Sequence, residues 1–278
     1  MREINSSKIK ETIAKLLTKA ACDLPKEVES AIKISYKKKG ISNLEKSILK
    51  ELIDNINIAR EEKMPLCQDT GTATIFLEIG QDVHIIGNLY KAINDGVTEA
   101  YKNLRKSIVK NPLSRENTKD NTPANLHIDI VPGDKIKIIV LPKGGGAENA
   151  SFLKMLLPTA SKEEILNLII NYIKENGVKA CPPLIVGIGL GGTFDSVATL
   201  AKKALLRPMN IFNKDKKIAN LEKILLKKIN ETEVGPMGLS GKITALAVHI
   251  EVAPCHIASL PLAINLQCHS HRHKEATI

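Results

Sequence analysis

The stretch MPLCQDTGTATIFLEIG, residues 64 to 80, sets a thiol, an amide and a carboxylate side by side (Cys67, Gln68, Asp69) at the mouth of a glycine turn before an apolar run. A carboxylate can move a proton, and a thiolate can hold a soft metal. Two more cysteines stand where an element yields to proline or polar residues: Cys181 before Pro182-Pro183, and Cys268 after Asn265-Leu266-Gln267. Positions 67, 181 and 268 are too far apart in sequence for a zinc ribbon or a ferredoxin run, so only folding can bring them together. Three thiolates on a cubane cluster leave one iron without a protein ligand. That iron can bind a substrate oxygen as a Lewis acid. Cys22 and Cys255 read instead as ordinary small core residues.

Other signals compete with this chemistry. GIGLGG, with Gly187, Gly189 and Gly192, has the glycine spacing and the strand-to-helix setting of a dinucleotide fold. The acidic residue that should follow ~20 positions on is missing, since KKALLRPMN offers only basic and apolar side chains. GPMGLSGKI has the wrong glycine spacing for a P-loop and places Ile243 after Lys242 where Ser or Thr belongs. His269, His271 and His273 beside Cys268 read either as a zinc or nickel site or as a flexible polar end. His256, inside an apolar stretch, reads more readily as a hydrogen-bonded core residue than as a base.

The elements that must position these groups follow from periodicity. The first 62 residues read as helices: Ile9, Ile13, Leu16 and Leu17 share a face, and Ser42 with Glu45 is a capping box opening a second apolar stripe. NLYKAINDGVTEAYKNLRKS is a further helix, followed by the long polar loop NPLSRENTKDNTPANLH. LHIDIV and KIKIIVLPK alternate, and Pro132-Gly133-Asp134 between them predicts a β-hairpin that runs into KGGGAENAS. A helix capped by Ser161 and stopped by Gly177 leads to Cys181, LIVGIGLGG is a buried strand before another helix, and residues 217 to 230 form a lysine-rich amphipathic helix. The last third returns to strands. With no internal repeat or low-complexity linker, the expected fold is α+β: one helix-rich domain, residues 1–278, around a small, mostly antiparallel sheet.

Composition limits the partners. The net charge of +10 invites nucleic acid, yet the lysines are spread over many faces and aromatic residues make up only 3% of the chain, so stacking platforms are scarce. Five cysteines at irregular positions make no secreted disulfide framework and point to a reducing cytoplasm. The amino-terminal MREINSSKIKETIAKLL lacks the apolar core of a signal peptide, and no window approaches the ~18 uncharged apolar residues of a bilayer span. A soluble protein that binds neither membrane nor nucleic acid is expected.

PLCQDTGTATIFLEIG, RKSIVKNPLSRENTKDNTPANLH, LPKGGGAENAS, ACPPLIVGIGLGGTFD and INLQCHSHRH, in this order over nearly the whole chain, resemble the α subunit of class I fumarate hydratases and the related L-tartrate dehydratases. These are oxygen-sensitive lyases with a four-iron four-sulfur cluster. The resemblance implies a 4Fe-4S cluster with one iron not ligated by protein, held by Cys67, Cys181 and Cys268. It places Gln68 and Asp69 beside a bound dicarboxylate, malate or fumarate, with Asp69 acting as acid or base on the hydroxyl. Arg105, or Arg115 ten positions on, and the amides of Lys143, Gly144, Gly145 and Gly146 would face a substrate carboxylate, and His256 would lie near the cluster. Larger single-chain relatives continue after the third cysteine motif into a further domain that completes the dicarboxylate site. The resemblance therefore implies a separate β subunit, a hetero-oligomer containing two α chains, and malate-fumarate interconversion of the tricarboxylic acid cycle type, with tartrate dehydration as the alternative.

Overall fold

Stripes and caps fix the helices where the periodicity puts them. A computed structural model describes residues 1–278, and the chain is α+β as its sequence predicts. Four of its seven strand pairings are antiparallel. The contacts divide it into two compact units, so the strands are shared between two four-stranded sheets and a two-stranded ribbon. No helix is long and apolar enough to cross a membrane.

The first unit takes in Met1–Pro25, Asn55–Gly145 and Arg272–Ile278. It begins with β1 (Arg2–Asn5) and α1 (Ser6–Cys22), and continues through β2 (Thr72–Gly80), β3 (Val83–Ile86), α4 (Leu89–Ala100), β4 (Asn125–Val131), β5 (Ile136–Lys143) and β10 (Lys274–Thr277). Ile9, Ile13 and Leu17 of α1 pack with Ile93 and Val97 of α4 and with Ile75, Leu77, Ile138 and Val140 of the sheet. Spatial order in that sheet is β10-β5-β2-β4, which corrects the expected hairpin. β2 inserts between β4 and β5, parallel to the former and antiparallel to the latter. Its run Ala73–Leu77 is buried on both faces, as suits a strand in a central place. Pro132-Gly133-Asp134 then crosses the end of β2 instead of closing a two-strand turn: the amides of Gly80 and Asp82 donate to the carbonyls of Lys135 and Gly133. The histidine-rich end is no flexible tail either. It supplies β10, which pairs antiparallel with β5, and Lys274 bonds Asp23 at 2.9 Å.

The second unit takes in Lys26–Asp54 and Gly146–His271. Here α2 (Lys26–Tyr36) and the start of α3 (Asn43–Glu61) precede the short α5 (Gly145–Asn149), β6 (Phe152–Leu156), α6 (Lys162–Asn176), β7 (Leu184–Gly191), α7 (Phe194–Ala204), α8 (Lys216–Asn230), β8 (Ala245–Ala253) and β9 (Leu260–Gln267). Both capping boxes form. Ser42 exchanges bonds with Glu45 at 3.0 and 3.1 Å, and Ser161 with Glu164 at 2.6 and 3.2 Å. Sheet order is β6-β9-β7-β8, with β7 parallel to β8 and antiparallel to β9. The glycines of GIGLGG find their use in packing. A Cβ on Gly187 would lie 2.2 Å from the Ala201 carbonyl oxygen, and one on Gly189 2.4 Å from that of Val197, so the pair lets α7 lie directly on β7.

Candidate active site

In the first unit the CQDTG turn is held residue by residue. Leu66, 4% exposed, is anchored by its amide to the Ala21 carbonyl and by its own carbonyl to Asn55 Nδ2. The next residue, Cys67, emerges half-buried, and Gln68 is exposed. Asp69 spreads its carboxylate over two backbone amides, accepting from Gly71 at 2.9 Å and from Gly145 at 2.7 Å. This brings the cysteine turn and the glycine loop of Lys143, Gly144 and Gly145 together. Gly71 (φ +78°) must be glycine on two grounds: its backbone is left-handed, and a Cβ would sit 2.8 Å from Lys143 backbone. Thr70 donates from Oγ1 to the Arg105 carbonyl at 2.5 Å, which ties the long polar loop to the same turn. Of the competing arginines, Arg105 has this link. Arg115 is an exposed residue in a left-handed conformation whose amide bonds Asn111.

Three buried side chains that sequence reasoning missed occupy the turn's carbonyls. Arg272 donates from Nη2 to Asp69 O at 2.9 Å. Tyr101 donates from its hydroxyl to Thr70 O at 3.0 Å and Gly71 O at 3.1 Å, and Asn121 from Nδ2 to Gly71 O at 3.2 Å. Asn121 Oδ1 meanwhile accepts from Ser107 N at 2.6 Å, so one buried amide joins both halves of the polar loop to the turn. Burial pushes the Tyr101 phenol up to about 12, with the Arg272 charge opposing and the Asp69 charge adding, so Tyr101 remains a donor at neutral pH. The only sequence signals were an arginine four positions after Cys268 and the asparagines of a loop too long to be a mere connector.

In the second unit, strand register explains how two cysteines distant in sequence reach one end of a sheet. Cys181 precedes β7 and Cys268 follows β9; these strands are antiparallel neighbours, with Ile185 opposite Gln267, so the two cysteines come to the same end of the sheet. The His269 amide donates to the Cys181 carbonyl at 3.3 Å. Cys181 is exposed, in a left-handed conformation (φ +52°) after the 3-10 turn Gly177–Ala180. Gly146 packs against this turn, where a Cβ would meet the Lys179 carbonyl at 2.9 Å.

Other expectations are corrected. Cys255 and His256 are not core residues: the chain leaves β8 at Ala253 and both lie exposed on the loop before β9. His256 Nδ1 accepts from the Ala258 amide at 3.1 Å, which puts the proton of the neutral ring on Nε2. The histidines of the tail are not a flexible polar end, since His271 is buried with Nε2 on the Leu205 carbonyl at 2.9 Å.

None of the five cysteines is in a disulfide. The donor chemistry of Cys67, Cys181 and Cys268, three soft sulfurs at element ends and none of them fully buried, suits an iron-sulfur cluster. The family model for fumarate hydratase (Fumerase) matches residues 10–277, a range that includes all three cysteines, the glycine loop and Arg272. The chain belongs to the fumarate hydratase family. Within that family it is 46% identical over 274 residues to a putative L(+)-tartrate dehydratase subunit alpha of Methanocaldococcus jannaschii, covering 95% of each chain. It is 30% identical over 278 residues to the L(+)-tartrate dehydratase subunit alpha of Escherichia coli strain K12, covering 96% of this chain and 89% of that one. Family membership and the dehydratase relatives place the protein among the hydro-lyases.

Proposed function

We propose that this chain is the α subunit of a cytoplasmic iron-sulfur hydro-lyase that interconverts (S)-malate and fumarate and works with a separate β subunit, in a hetero-oligomer containing two α chains. The observation that carries the reading is the Asp69 turn: a carboxylate next to a cysteine, held by two backbone amides and joined to the glycine loop. Cys67, Cys181 and Cys268 would hold a 4Fe-4S cluster, whose iron without a protein ligand supplies a Lewis acid for departure of the hydroxyl.

Dehydration breaks the carbon–oxygen bond at one carbon and the carbon–hydrogen bond at the next. Asp69 would deliver a proton to the departing oxygen so that it leaves as water, and would recover one in the reverse direction. Gln68, exposed beside it, can donate an amide hydrogen bond to the dicarboxylate. Arg105 can pair with a carboxylate through two parallel bonds, and the loop of Lys143, Gly144, Gly145 and Gly146 would close on the same end, fixing the reacting carbons in place. His256, with its proton on Nε2, would donate near the cluster. The group that removes the carbon-bound proton would come from the β subunit.

A second reading, L(+)-tartrate dehydration, is favoured by the names of the relatives above and differs by one substrate hydroxyl. Rates on (S)-malate, fumarate and L(+)-tartrate, measured anaerobically with the co-expressed second subunit, separate the two. Turnover of malate and fumarate is expected. Turnover of tartrate alone would overturn the fumarase assignment in favour of the second reading.

A further inference from the structure

Three successive carbonyls of the Asp69 turn, those of Asp69, Thr70 and Gly71, accept hydrogen bonds from side chains far away in sequence, and all three donors are buried: Arg272 (2% exposed), Tyr101 (1%) and Asn121 (0%). Backbone of a surface turn normally turns its carbonyls to water. Here they are turned inward and held, which leaves the Asp69 carboxylate to the amides of Gly71 and Gly145 alone. A neutral donor such as glutamine would be enough for one carbonyl, yet the chain buries a guanidinium whose Nε and Nη1 have no hydrogen-bond partner. A buried charge with unfilled donors is unfavourable for folding, so its retention points to use. Its place in the chain fits such a use. Arg272 is four residues beyond Cys268 and two before β10, which β5 holds in register from Lys274 opposite Val140.

We propose that Arg272 is a positioning residue for the proposed reaction, with Tyr101 as its second support. By gripping the Asp69 carbonyl it fixes the main chain of the Cys67-Gln68-Asp69 turn, so that the carboxylate stays on the two glycine amides, and it keeps positive charge beside the site that takes an anionic substrate. The assignment rests on the function proposed above, but its structural half stands alone. Removing the grip frees the turn while the core of β2 remains intact.

The experiment compares Arg272→Met, Arg272→Lys and Tyr101→Phe in the anaerobically prepared full-length chain. Amide hydrogen exchange is followed residue by residue, and kinetics with the second subunit are recorded in parallel. In Arg272→Met, exchange at Gly71 and Gly145 should accelerate at least about tenfold while Ile75 and Leu77 in β2 are unchanged. The kcat should fall on the order of a hundredfold with KM within about threefold and iron per chain unaltered, as expected for a misplaced group. Added guanidinium ion should restore part of the loss, the Lys variant should lie between, and Tyr101→Phe should move the same amides less. Parental exchange at Gly71 and Gly145 in these variants, or acceleration at Ile75 and Leu77 equal to that at Gly71, would overturn the proposal and leave Arg272 an ordinary core residue. Should Arg272→Met fail to fold, the Lys and Phe variants carry the same exchange test. If the unsubstituted enzyme turns over none of the three acids, the functional reading falls while the exchange result still judges Arg272.

Discussion

Two arginines drawn into the protein behave in opposite ways. Arg207, in the second unit, has a partner on every nitrogen: Nε and Nη2 reach Glu251 Oε1 at 3.1 and 2.7 Å, Nη1 reaches Glu222 Oε1 at 2.7 Å, and Nη2 also bonds the Ile250 carbonyl at 2.8 Å. Glu222, 0% exposed, accepts in addition from the amides of Asn213 and Ile250. Arg272, in the first unit, makes one bond to a carbonyl and keeps two nitrogens without a partner. The first network ties α8 and the 207–213 loop to β8. The second holds a turn that carries the candidate proton-transfer group. Of these two arginines, the one with a partner on every nitrogen holds scaffold together, and the one with unpartnered nitrogens grips the turn proposed for the chemistry.

The contrast can be broken at either end. The largest effect is expected at the turn. Asp69→Asn should lower kcat by about 10²- to 10⁴-fold, the usual worth of a placed acid or base, with little change in denaturation midpoint because the amide still accepts from Gly71 or Gly145. A variant of unchanged activity would remove Asp69 from the chemistry.

Glu222→Ala should do the reverse. It removes the buried acceptor shared by Arg207 Nη1 and the amides of Asn213 and Ile250, at a cost of about 3–5 kcal/mol to stability, visible in denaturant titration. Molecules that remain folded should keep their kcat, and loss of turnover without loss of stability would erase the distinction between the two networks.

The smallest effect concerns His249, 1% exposed beside Arg207, whose Nδ1 bonds the Ala204 carbonyl. Burial, with the Arg207 charge adding, pulls its pKa down from 6.5 to about 4. Between those values the unfolded chain binds a proton that the folded chain refuses. His249 therefore contributes full stability above pH 6.5 and loses about 1.4 kcal/mol per unit as pH falls toward 4. His249→Gln should flatten the stability profile in that window, and an unaltered slope would show that His249 stays accessible to protons when folded.

Much of this was legible in the sequence, and the parts that were not share a cause. The capping boxes at Ser42 and Ser161 and the stripe of α1 are local patterns, and they form as read. The Cys67 turn was equally visible, because thiol, amide and carboxylate are adjacent. The hairpin expectation failed because a third strand, β2, competes for both partners, and alternation within a strand says nothing about which neighbour wins. Cys255 and His256 were misplaced since apolar neighbours on both sides belong to two different strands, leaving the residues between them in a surface loop. Arg272 was hidden in a histidine-rich tail: its bond to Asp69 spans 203 positions, and no periodicity reports a contact between a side chain and a backbone carbonyl at that separation.

The central proposal is that Cys67, Cys181 and Cys268 are the ligands of one iron-sulfur cluster, and iron and sulfide analysis after anaerobic reconstitution tests it most directly. The unsubstituted chain should be brown and hold about four irons and four sulfides, as a cubane cluster requires. Serine at position 67, 181 or 268 should each abolish stable loading, while Cys22→Ser should load normally. A chain that takes up no iron, or a cluster that needs Cys22 and survives loss of one of the three, would contradict the account.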